Sequence, residues 1–310
     1  MKLISYKQNG NIKLGAFEEG KIYDLHALDG HIADNMLEFL QGGEEQLQLA
    51  MAAMEDGSPT ISAEDVELIS PVPNPPSVRD AYAFRQHVAT ARRNRGLEMI
   101  PEFDEIPIFY FTNHQAVFGE GYFPVLSRHT EKLDFELECA AVICKGGRNI
   151  SVIDADDYIA GFMIMNDLSA RALQMQEMKL NLGPAKGKDF GSTFGPWLVT
   201  KDELEPYKQT SPDGDRYDLK MKAFVNDIQV SGDTLSNMTW TFAQIIERVS
   251  YGVDIFPGDI IGSGTCGTGC FLELNGSKIT DNQWLNPGDT VSLEIDGLGT
   301  LTNKIVLEHV

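Results

Sequence analysis

The segment Leu133-Asp-Phe-Glu-Leu-Glu-Cys-Ala-Ala-Val-Ile143 has the alternation of a β-strand. Side chains two residues apart on a β-strand point to the same face of a sheet, so Glu136 and Glu138 share one face while the opposite face is apolar. Ala140 and Val142 continue the acidic face with apolar side chains, which indicates that the strand runs into the core. Two like charges at the edge of a core are costly unless a cation neutralises them. A solvated face on an edge strand is the alternative.

The segments on either side of this stretch indicate a structure made mostly of strands. Compact apolar runs, Pro-Gly-Asp turns and helical spacing predict strands over residues 135–144, 159–165, 221–225, 260–261 and 291–295, and helices over residues 77–95 and 169–178. Strands and helices do not alternate regularly, so a doubly wound parallel sheet is not expected. We therefore expect an α+β, mostly β fold with mixed or antiparallel strands and flanking helices.

The first seventy residues predict a separate small α+β domain. The dipeptide Asn9-Gly10 joins two short strand-like runs, residues 2–7 and 12–17, and is a strong hairpin signal. A weak helical pattern follows over residues 36–54. The proline-rich segment 71–76 then interrupts regular structure, because proline has no N–H and restricts the residue before it. We place the boundary there, with domains over residues 1–70 and 71–310.

The composition excludes several classes of partner. The 310 residues include 46 acidic and 25 basic side chains, for a formal net charge of −21. Such a surface repels nucleic acid and anionic membranes, so we expect neither as a partner. No run approaches the roughly 18 apolar residues of a membrane span. The N-terminus has no apolar signal region, so a cytoplasmic location is expected. The four cysteines match neither a disulfide framework nor the usual zinc spacings.

Two glycine-rich stretches have the wrong context for a phosphate loop. Residues 183–188 place three residues between the glycines, and Asp189 stands where a hydroxyl residue is expected. Residues 262–269 lead into a β-like segment, residues 270–274, rather than into a helix. We expect backbone turns here and no bound nucleotide.

Two more acidic residues and a histidine extend the candidate site. Asp167 follows the apolar run 159–165 and precedes a predicted helix, where a ligand role and an ordinary helix cap are both open. Asp80 lies seven residues before His87, so the two side chains would share one edge of the first predicted helix. A simple polar helix face is the alternative. Four carboxylates without a nearby cysteine–histidine cluster suit a hard cation, magnesium or calcium, better than zinc.

These motifs, taken together, resemble the fumarylacetoacetate hydrolase family. The matching segments are residues 80–87, 133–138, 165–174, 187–197, 257–265 and 295–303. The resemblance covers about residues 77–310 in order and is to bacterial-type members of the family. It implies a mixed β-roll or sandwich with flanking helices, a homodimer, and a role in aromatic or amino-acid catabolism. It also implies a bound Mg²⁺, with Mn²⁺ or Ca²⁺ as alternatives, and a small oxo or diketo acid substrate.

The family pattern, matched position by position, implies roles for ten residues. The implied metal ligands are Asp80, Glu136, Glu138 and Asp167. The implied catalytic residues are His87, which resembles a general base, Glu273, which resembles the acid that orients it, and Lys188, which resembles a lysine facing the substrate oxygens. The implied substrate-binding residues are Tyr110, Arg171 and Gln174.

The resemblance implies an enzyme that hydrolyses a C–C bond in a 1,3-diketo acid such as an acylpyruvate or fumarylacetoacetate. The metal would stabilise the enolate leaving group, and His87 would activate the attacking water. The same metal site suits a 2-oxoacid decarboxylase, an isomerase or tautomerase, or a sugar-acid dehydratase. A non-catalytic oxoacid-binding protein is a further alternative, and the presence of every metal carboxylate and of Lys188 argues against it.

Overall fold

The computed structural model of the chain describes residues 1–308. Its first part contains β1 (Lys2–Gln8), β2 (Asn11–Glu18), β3 (Lys21–Asp24), α1 (Leu25–Leu28), α2 (Met36–Gln41), α3 (Gly43–Asp56), β4 (Ile61–Ser62) and β5 (Glu67–Ile69). The predicted hairpin is confirmed, because β1 and β2 pair antiparallel around the Asn9-Gly10 turn. The weak helical pattern corresponds to α2 and α3, which Gly42 separates.

The elements that follow build the rest of the molecule. The middle of the chain contains β6 (Val78–Ala81), α4 (Arg85–Arg93), β7 (Phe109–Thr112), β8 (Val117–Phe118), β9 (Gly121–Val125), β10 (Leu133–Asp134), β11 (Leu137–Ile143), β12 (Gly147–Arg148), α5 (Val152–Ala155), β13 (Ile159–Asn166), β14 (Ser169–Ala170) and α6 (Arg171–Met178). The last part contains β15 (Ser192–Thr200), β16 (Lys208–Gln209), β17 (Arg216–Tyr217), β18 (Lys220–Val225), β19 (Ile228–Thr234), α7 (Phe242–Ser250), β20 (Asp254–Ile255), β21 (Ile260–Gly262), α8 (Phe271–Gly276), β22 (Thr290–Ile295) and β23 (Gly299–Leu307).

Two large sheets organise these strands. The larger sheet has the strand order β4-β3-β2-β1-β15-β13-β11-β21-β6-β7, with β5 beside β1 and β8 beside β15. The smaller one has the order β19-β18-β22-β23-β9. The expected α+β, mostly β fold is therefore confirmed. The division into domains of residues 1–70 and 71–310 stays a prediction, while β1 pairs directly with β15 of the second segment.

Strand β11 lies in the middle of the larger sheet, between β13 and β21. Leu137, Cys139, Ala141 and Ile143 belong to the main core cluster, which also contains apolar residues of the smaller sheet. Ala140 and Val142 on the other face pack in a second cluster with residues of the N-terminal segment. Every residue of β11 is buried, so the alternative of a solvated edge strand is wrong.

The predicted helix over residues 77–95 is wrong in its first half. Val78–Ala81 forms β6, which pairs with β21 on one side and β7 on the other, and helix α4 begins only at Arg85. Pairing on both sides satisfies the backbone groups of four buried residues, and this outweighs the local helical spacing. Asp80 therefore lies on a strand and does not share a helix edge with His87. The second predicted helix also starts late, since residues 169–170 pair with β10.

The β-like reading of residues 270–274 is wrong as well, because these residues enter helix α8 (Phe271–Gly276). The backbone N–H groups of Phe271 and Leu272 donate to the two carboxylate oxygens of Asp134, at 2.7 and 3.0 Å. A carboxylate at this position satisfies N–H groups that a helix start leaves unpaired. This cap comes from a residue 137 positions away, so local sequence does not reveal the helix. Among the described residues, no helix has the length and apolar character to cross a membrane.

Candidate active site

Four carboxylates meet in the middle of the larger sheet. Asp80 comes from β6, Glu138 from β11, Glu136 from the residue before β11, and Asp167 from the residue after β13. One ligand oxygen from each lies within 4.8 Å of the others, and all four side chains are buried. The structure thus brings together the whole predicted ligand set, although Asp80 arrives from a strand rather than from a helix.

Gly262 of β21 makes this convergence possible. A Cβ at this position would lie 2.4 Å from Asp80 Oδ1 and 3.1 Å from Glu138 Oε2, so a side chain would fill the space between the two carboxylates. The φ angle of Gly262 is not in the left-handed region, so the backbone itself tolerates alanine. The glycine is needed for the close approach of the acidic groups.

Replacing this glycine tests the packing of the carboxylates. We expect Gly262→Ala to weaken divalent-cation binding by roughly tenfold or more, because the new methyl group displaces Asp80 or Glu138 from the shared position. Isothermal titration with Mg²⁺ measures the change. Gly232→Ala is a matched control, since Gly232 lies on β19 and a Cβ at this position would be 3.4 Å from its nearest atom. Equal affinities in the two variants would contradict the role assigned to Gly262.

Two buried cations partly compensate these acidic groups. Lys188 Nζ donates to Asp167 Oδ2 at 2.7 Å and contacts Glu136. Arg171 Nη2 donates to Glu136 Oε1 at 2.7 Å, and Arg171 Nε donates to Asp134 Oδ2 at 2.9 Å. Burial acts to raise the pKa of Glu136, but Lys188 and Arg171 hold it at about 2. Glu136 is therefore ionised at any pH near neutrality.

Among the described residues, Asp80 and Glu138 form no ion pair with these cationic side chains. Burial, and then the charge of Asp167, raises the pKa of Asp80 to about 8. Burial, and then the charge of Asp80, raises the pKa of Glu138 well above its ordinary value. Glu138 Oε2 is also buried without a hydrogen-bond partner. Ionised carboxylates in this position require a cation, and an all-oxygen donor set fits a hard divalent ion.

This arrangement predicts a pH effect on the metal-free protein. Because the pKa of Asp80 is raised from 3.8 to about 8, the folded state binds this proton more tightly than the unfolded state does. The contribution of Asp80 to the stability of the fold is therefore fully present below its pKa of 3.8 in the unfolded chain, and it is lost as the pH rises through about 8. We expect Asp80→Asn, which keeps the shape, to gain in melting temperature over the wild-type protein as the pH rises from 5 to 8. A constant difference in thermal melts with a chelator present would contradict this account.

A histidine and a glutamate form a buried pair beside the carboxylates. His87 of α4 and Glu273 of α8 are 186 residues apart, and His87 Nδ1 lies 2.7 Å from Glu273 Oε2. An ionised carboxylate can only accept a hydrogen bond, so opposite such a partner Nδ1 carries the proton and Nε2 keeps a free lone pair. The Asp134 cap at the start of α8 holds Glu273 in place. This arrangement suits a general base whose tautomer is fixed.

The predicted substrate-binding residues line a cavity of about 1140 Å³ together with His87, Asp80, Glu136 and Lys188. Tyr110 donates from its hydroxyl to Asp167 Oδ2 at 2.5 Å. Burial, and then the charge of Asp167, raises the pKa of Tyr110, which keeps the phenol protonated. Gln174 Oε1 accepts from Arg171 Nη1 at 3.0 Å, so the amide N–H groups of Gln174 remain for another partner.

Some residues of the site have no signal in a single sequence. Asp134 binds Arg171 and caps α8, yet in the sequence it is only one more acid next to Glu136. Ser192 Oγ donates to Asp167 Oδ1 at 3.1 Å, and Thr265 Oγ1 donates to Glu138 Oε1 at 3.3 Å. Cys270 also lies in the site, with one ligand atom each of Cys270, His87 and Glu136 within 4.8 Å. Cys270 and His87 thus lie close to the carboxylates in the folded chain, although the sequence shows no cysteine–histidine cluster there.

Comparison with known proteins also indicates the fumarylacetoacetate hydrolase family. The family model described as fumarylacetoacetate (FAA) hydrolase C-terminal matches residues 77–306. The mitochondrial oxaloacetate tautomerase FAHD2A of Bos taurus is 30% identical over 288 residues, covering 93% of this chain and 84% of that protein. The fumarylacetoacetase of Arabidopsis thaliana is 35% identical over 221 residues, covering 57% of this chain and 52% of that protein.

A solved structure extends the likeness to the whole fold. The fumarylacetoacetate hydrolase of the psychrophilic Exiguobacterium antarcticum superposes with a TM-score of 0.76 at 25% identity, covering 99% of this chain and 100% of that one. The family match contains every strand and loop that supplies the four carboxylates, His87 and Lys188. With that match across most of the chain, this protein belongs to the fumarylacetoacetate hydrolase family.

Proposed function

We propose that the protein is a metal-dependent hydrolase that cleaves a C–C bond in 1,3-diketo acids of the acylpyruvate or fumarylacetoacetate type. The observation that carries this proposal is the position of His87. Its Nδ1 is held by Glu273 at 2.7 Å, and the ring lines the same cavity as Asp80 and Glu136. A base with a free Nε2 is thereby available next to the cation site.

The carboxylate group fits a hard divalent cation held by Asp80, Glu136, Glu138 and Asp167. The orphaned Glu138 Oε2 and the all-oxygen donor set favour Mg²⁺, with Mn²⁺ or Ca²⁺ as alternatives. When bound, such a cation supplies Lewis acidity to the two oxygens of a chelating 2-oxo acid. Lys188 adds a fixed positive charge at the same place. Although burial acts to lower it, the pKa of Lys188 is raised by Asp167 and Glu136.

The protein side chains account for the proton transfers of hydrolysis. His87 Nε2 takes a proton from water as the water oxygen attacks the carbonyl carbon farther from the carboxylate. Glu273 stabilises the imidazolium that results. The C–C bond then breaks, its electron pair passes to the carbon beside the 2-oxo group, and His87 returns the proton to that carbon. For an acylpyruvate one water is consumed, and the products are a carboxylic acid and the 2-oxo acid pyruvate; a fumarylacetoacetate-type acid gives an unsaturated dicarboxylic acid and a 3-oxo acid by the same steps.

The cavity also indicates the size of the substrate. Beyond Tyr110, Arg171 and Gln174, its wall is largely apolar, with Ile108, Phe109, Met175, Met178, Ile279 and Trp284. A cavity of about 1140 Å³ holds more than a four-carbon acid. The apolar wall therefore favours a diketo acid with an extended acyl group.

A tautomerase of oxaloacetate-like acids is the second candidate, because the relative that is similar along 93% of the chain is named as one. In that reaction His87 would move a proton between carbon and oxygen. No water would attack the substrate, and no C–C bond would break. The other chemistries of the family, decarboxylation and dehydration, have no such relative among those described above.

We also propose that the protein forms a homodimer and is located in the cytoplasm.

Product analysis separates these candidates. The purified protein is incubated with Mg²⁺ and either an acylpyruvate series of increasing chain length or enol oxaloacetate. Cleavage products are identified by mass, and ketonisation, which leaves the mass unchanged, is followed by the loss of the ultraviolet absorbance of the enol. The hydrolase proposal predicts equimolar pyruvate and fatty acid, formed faster with longer acyl groups and stopped by chelation. Accelerated ketonisation of oxaloacetate without cleavage of any diketo acid would overturn it.

A further inference from the structure

A second group of possible metal ligands lies next to the four carboxylates. One ligand atom each of His87, Glu136 and Cys270 lies within 4.8 Å of the other two, and all three residues are buried. They come from α4, from the residue before β11 and from the residue before α8. Zinc bonds of about 2.0–2.3 Å place tetrahedral ligand atoms roughly 3.5 Å apart, so small side-chain rotations would close this group around an ion.

The histidine of this group is already held as a metal ligand usually is. Metal-binding histidines generally donate their other ring N–H to a carboxylate, which fixes the tautomer and the direction of the free lone pair. His87 has this partner in Glu273, at 2.7 Å from Nδ1. Its Nε2 therefore offers a lone pair to a cation without a change of tautomer.

The charge of the surroundings leaves room for a second cation. Six buried carboxylates lie in and around the site, namely Asp80, Asp134, Glu136, Glu138, Asp167 and Glu273. Only two cationic side chains, Arg171 and Lys188, neutralise them directly among the described residues. When all six are ionised, one divalent ion still leaves two negative charges without compensation. Buried charges without partners are costly.

We infer that His87, Glu136 and Cys270 form a second cation site, selective for a soft divalent ion such as zinc, whose occupation inhibits the enzyme. Imidazole, carboxylate and thiolate are all zinc ligands, and three protein ligands leave a fourth position open. A hard ion such as magnesium prefers the four carboxylates, so the softer ligands of the second site favour zinc over magnesium. Zinc releases the thiol proton of Cys270 to solvent and occupies the Nε2 lone pair that the general base requires.

Glu136 belongs to both groups of ligands. Its Oε1 accepts from Arg171 and its Oε2 contacts Lys188. Each carboxylate oxygen has two lone pairs, so one lone pair on each remains for a cation. The two sites are thus neighbours, and zinc at the second site does not have to displace magnesium from the first.

Cobalt(II) is the probe that reports the thiolate directly. The full-length protein is saturated with Mg²⁺ and titrated with Co²⁺, and the near-ultraviolet thiolate-to-cobalt charge-transfer band is recorded. We expect the band in the wild-type protein and in Cys144→Ser, which removes a cysteine that lies outside the site. We expect no band in Cys270→Ser and a strongly weakened one in His87→Asn, which keeps the thiol. Added Zn²⁺ should bleach the wild-type band in a one-to-one ratio.

Inhibition by zinc is the second measurement, and it rests on the proposed function. With excess Mg²⁺ and an acylpyruvate, the zinc concentration for half inhibition should rise roughly tenfold or more in Cys270→Ser relative to Cys144→Ser. The inference is overturned if no charge-transfer band forms, if the band survives in Cys270→Ser, or if both variants are inhibited equally. A protein that cleaves no diketo acid would overturn the proposed function, while the cobalt spectrum would still decide the metal site.

Discussion

His87→Asn is expected to lower kcat for diketo acid hydrolysis by about 10²–10⁴, the usual contribution of a general base. The variant removes the Nε2 lone pair but keeps a side-chain N–H that can donate to Glu273. Binding of Mg²⁺ should be unchanged, because His87 is not one of the four proposed ligands. Steady-state kinetics and isothermal titration measure the two effects on the same preparation.

His114→Asn is the matched control, since His114 is exposed and lies outside the cavity. It should retain the wild-type kcat. If His87→Asn also retains it, another group activates the water and the proposed mechanism is wrong. If both kcat and Mg²⁺ affinity fall together in His87→Asn, the histidine acts by supporting the carboxylates rather than as a base.

Glu138→Gln is expected to have opposite effects on metal binding and on stability. Loss of a hydrogen-bonding partner around a metal ligand costs about 10–100-fold in affinity, so loss of the ligand itself should cost roughly 100-fold or more. In the metal-free protein the same change removes a carboxyl group whose ionisation is disfavoured by burial and then by the charge of Asp80, and should raise the free energy of unfolding by roughly 1 kcal/mol. Thermal melts with chelator and with saturating Mg²⁺ measure both.

Glu247→Gln, on the exposed side of α7, provides the control and should change neither quantity. A Glu138→Gln variant that is less stable than the wild-type protein without metal would contradict the view that the carboxylates repel one another. A variant with unchanged Mg²⁺ affinity would remove Glu138 from the ligand set.

The parts of the fold that sequence predicts are those in which local pattern and tertiary structure agree. Residues 137–143 alternate between two apolar clusters, and the period of two is visible in the sequence. The hairpin around Asn9-Gly10 is predicted for the same reason, since its turn chemistry is local. Such elements follow from neighbouring residues alone.

The errors occur where distant residues decide the local structure. Val78–Ala81 becomes a strand because β21 and β7 pair with it, and these strands lie far away in the chain. Helix α8 starts at Phe271 because Asp134 caps it. The approach of Cys270 to His87 depends on that helix, so it is visible only in the folded chain. The roles of the site residues in binding and catalysis stay predictions.

Four carboxylates from three segments of the larger sheet are proposed to hold one hard cation. Diffraction from crystals grown with Mn²⁺ as the sole divalent ion, measured for anomalous signal, tests this claim most directly. We expect one anomalous peak about 2.0–2.6 Å from an oxygen of each of Asp80, Glu136, Glu138 and Asp167. Crystals with no peak between these side chains, or with the peak held by other residues, would contradict it.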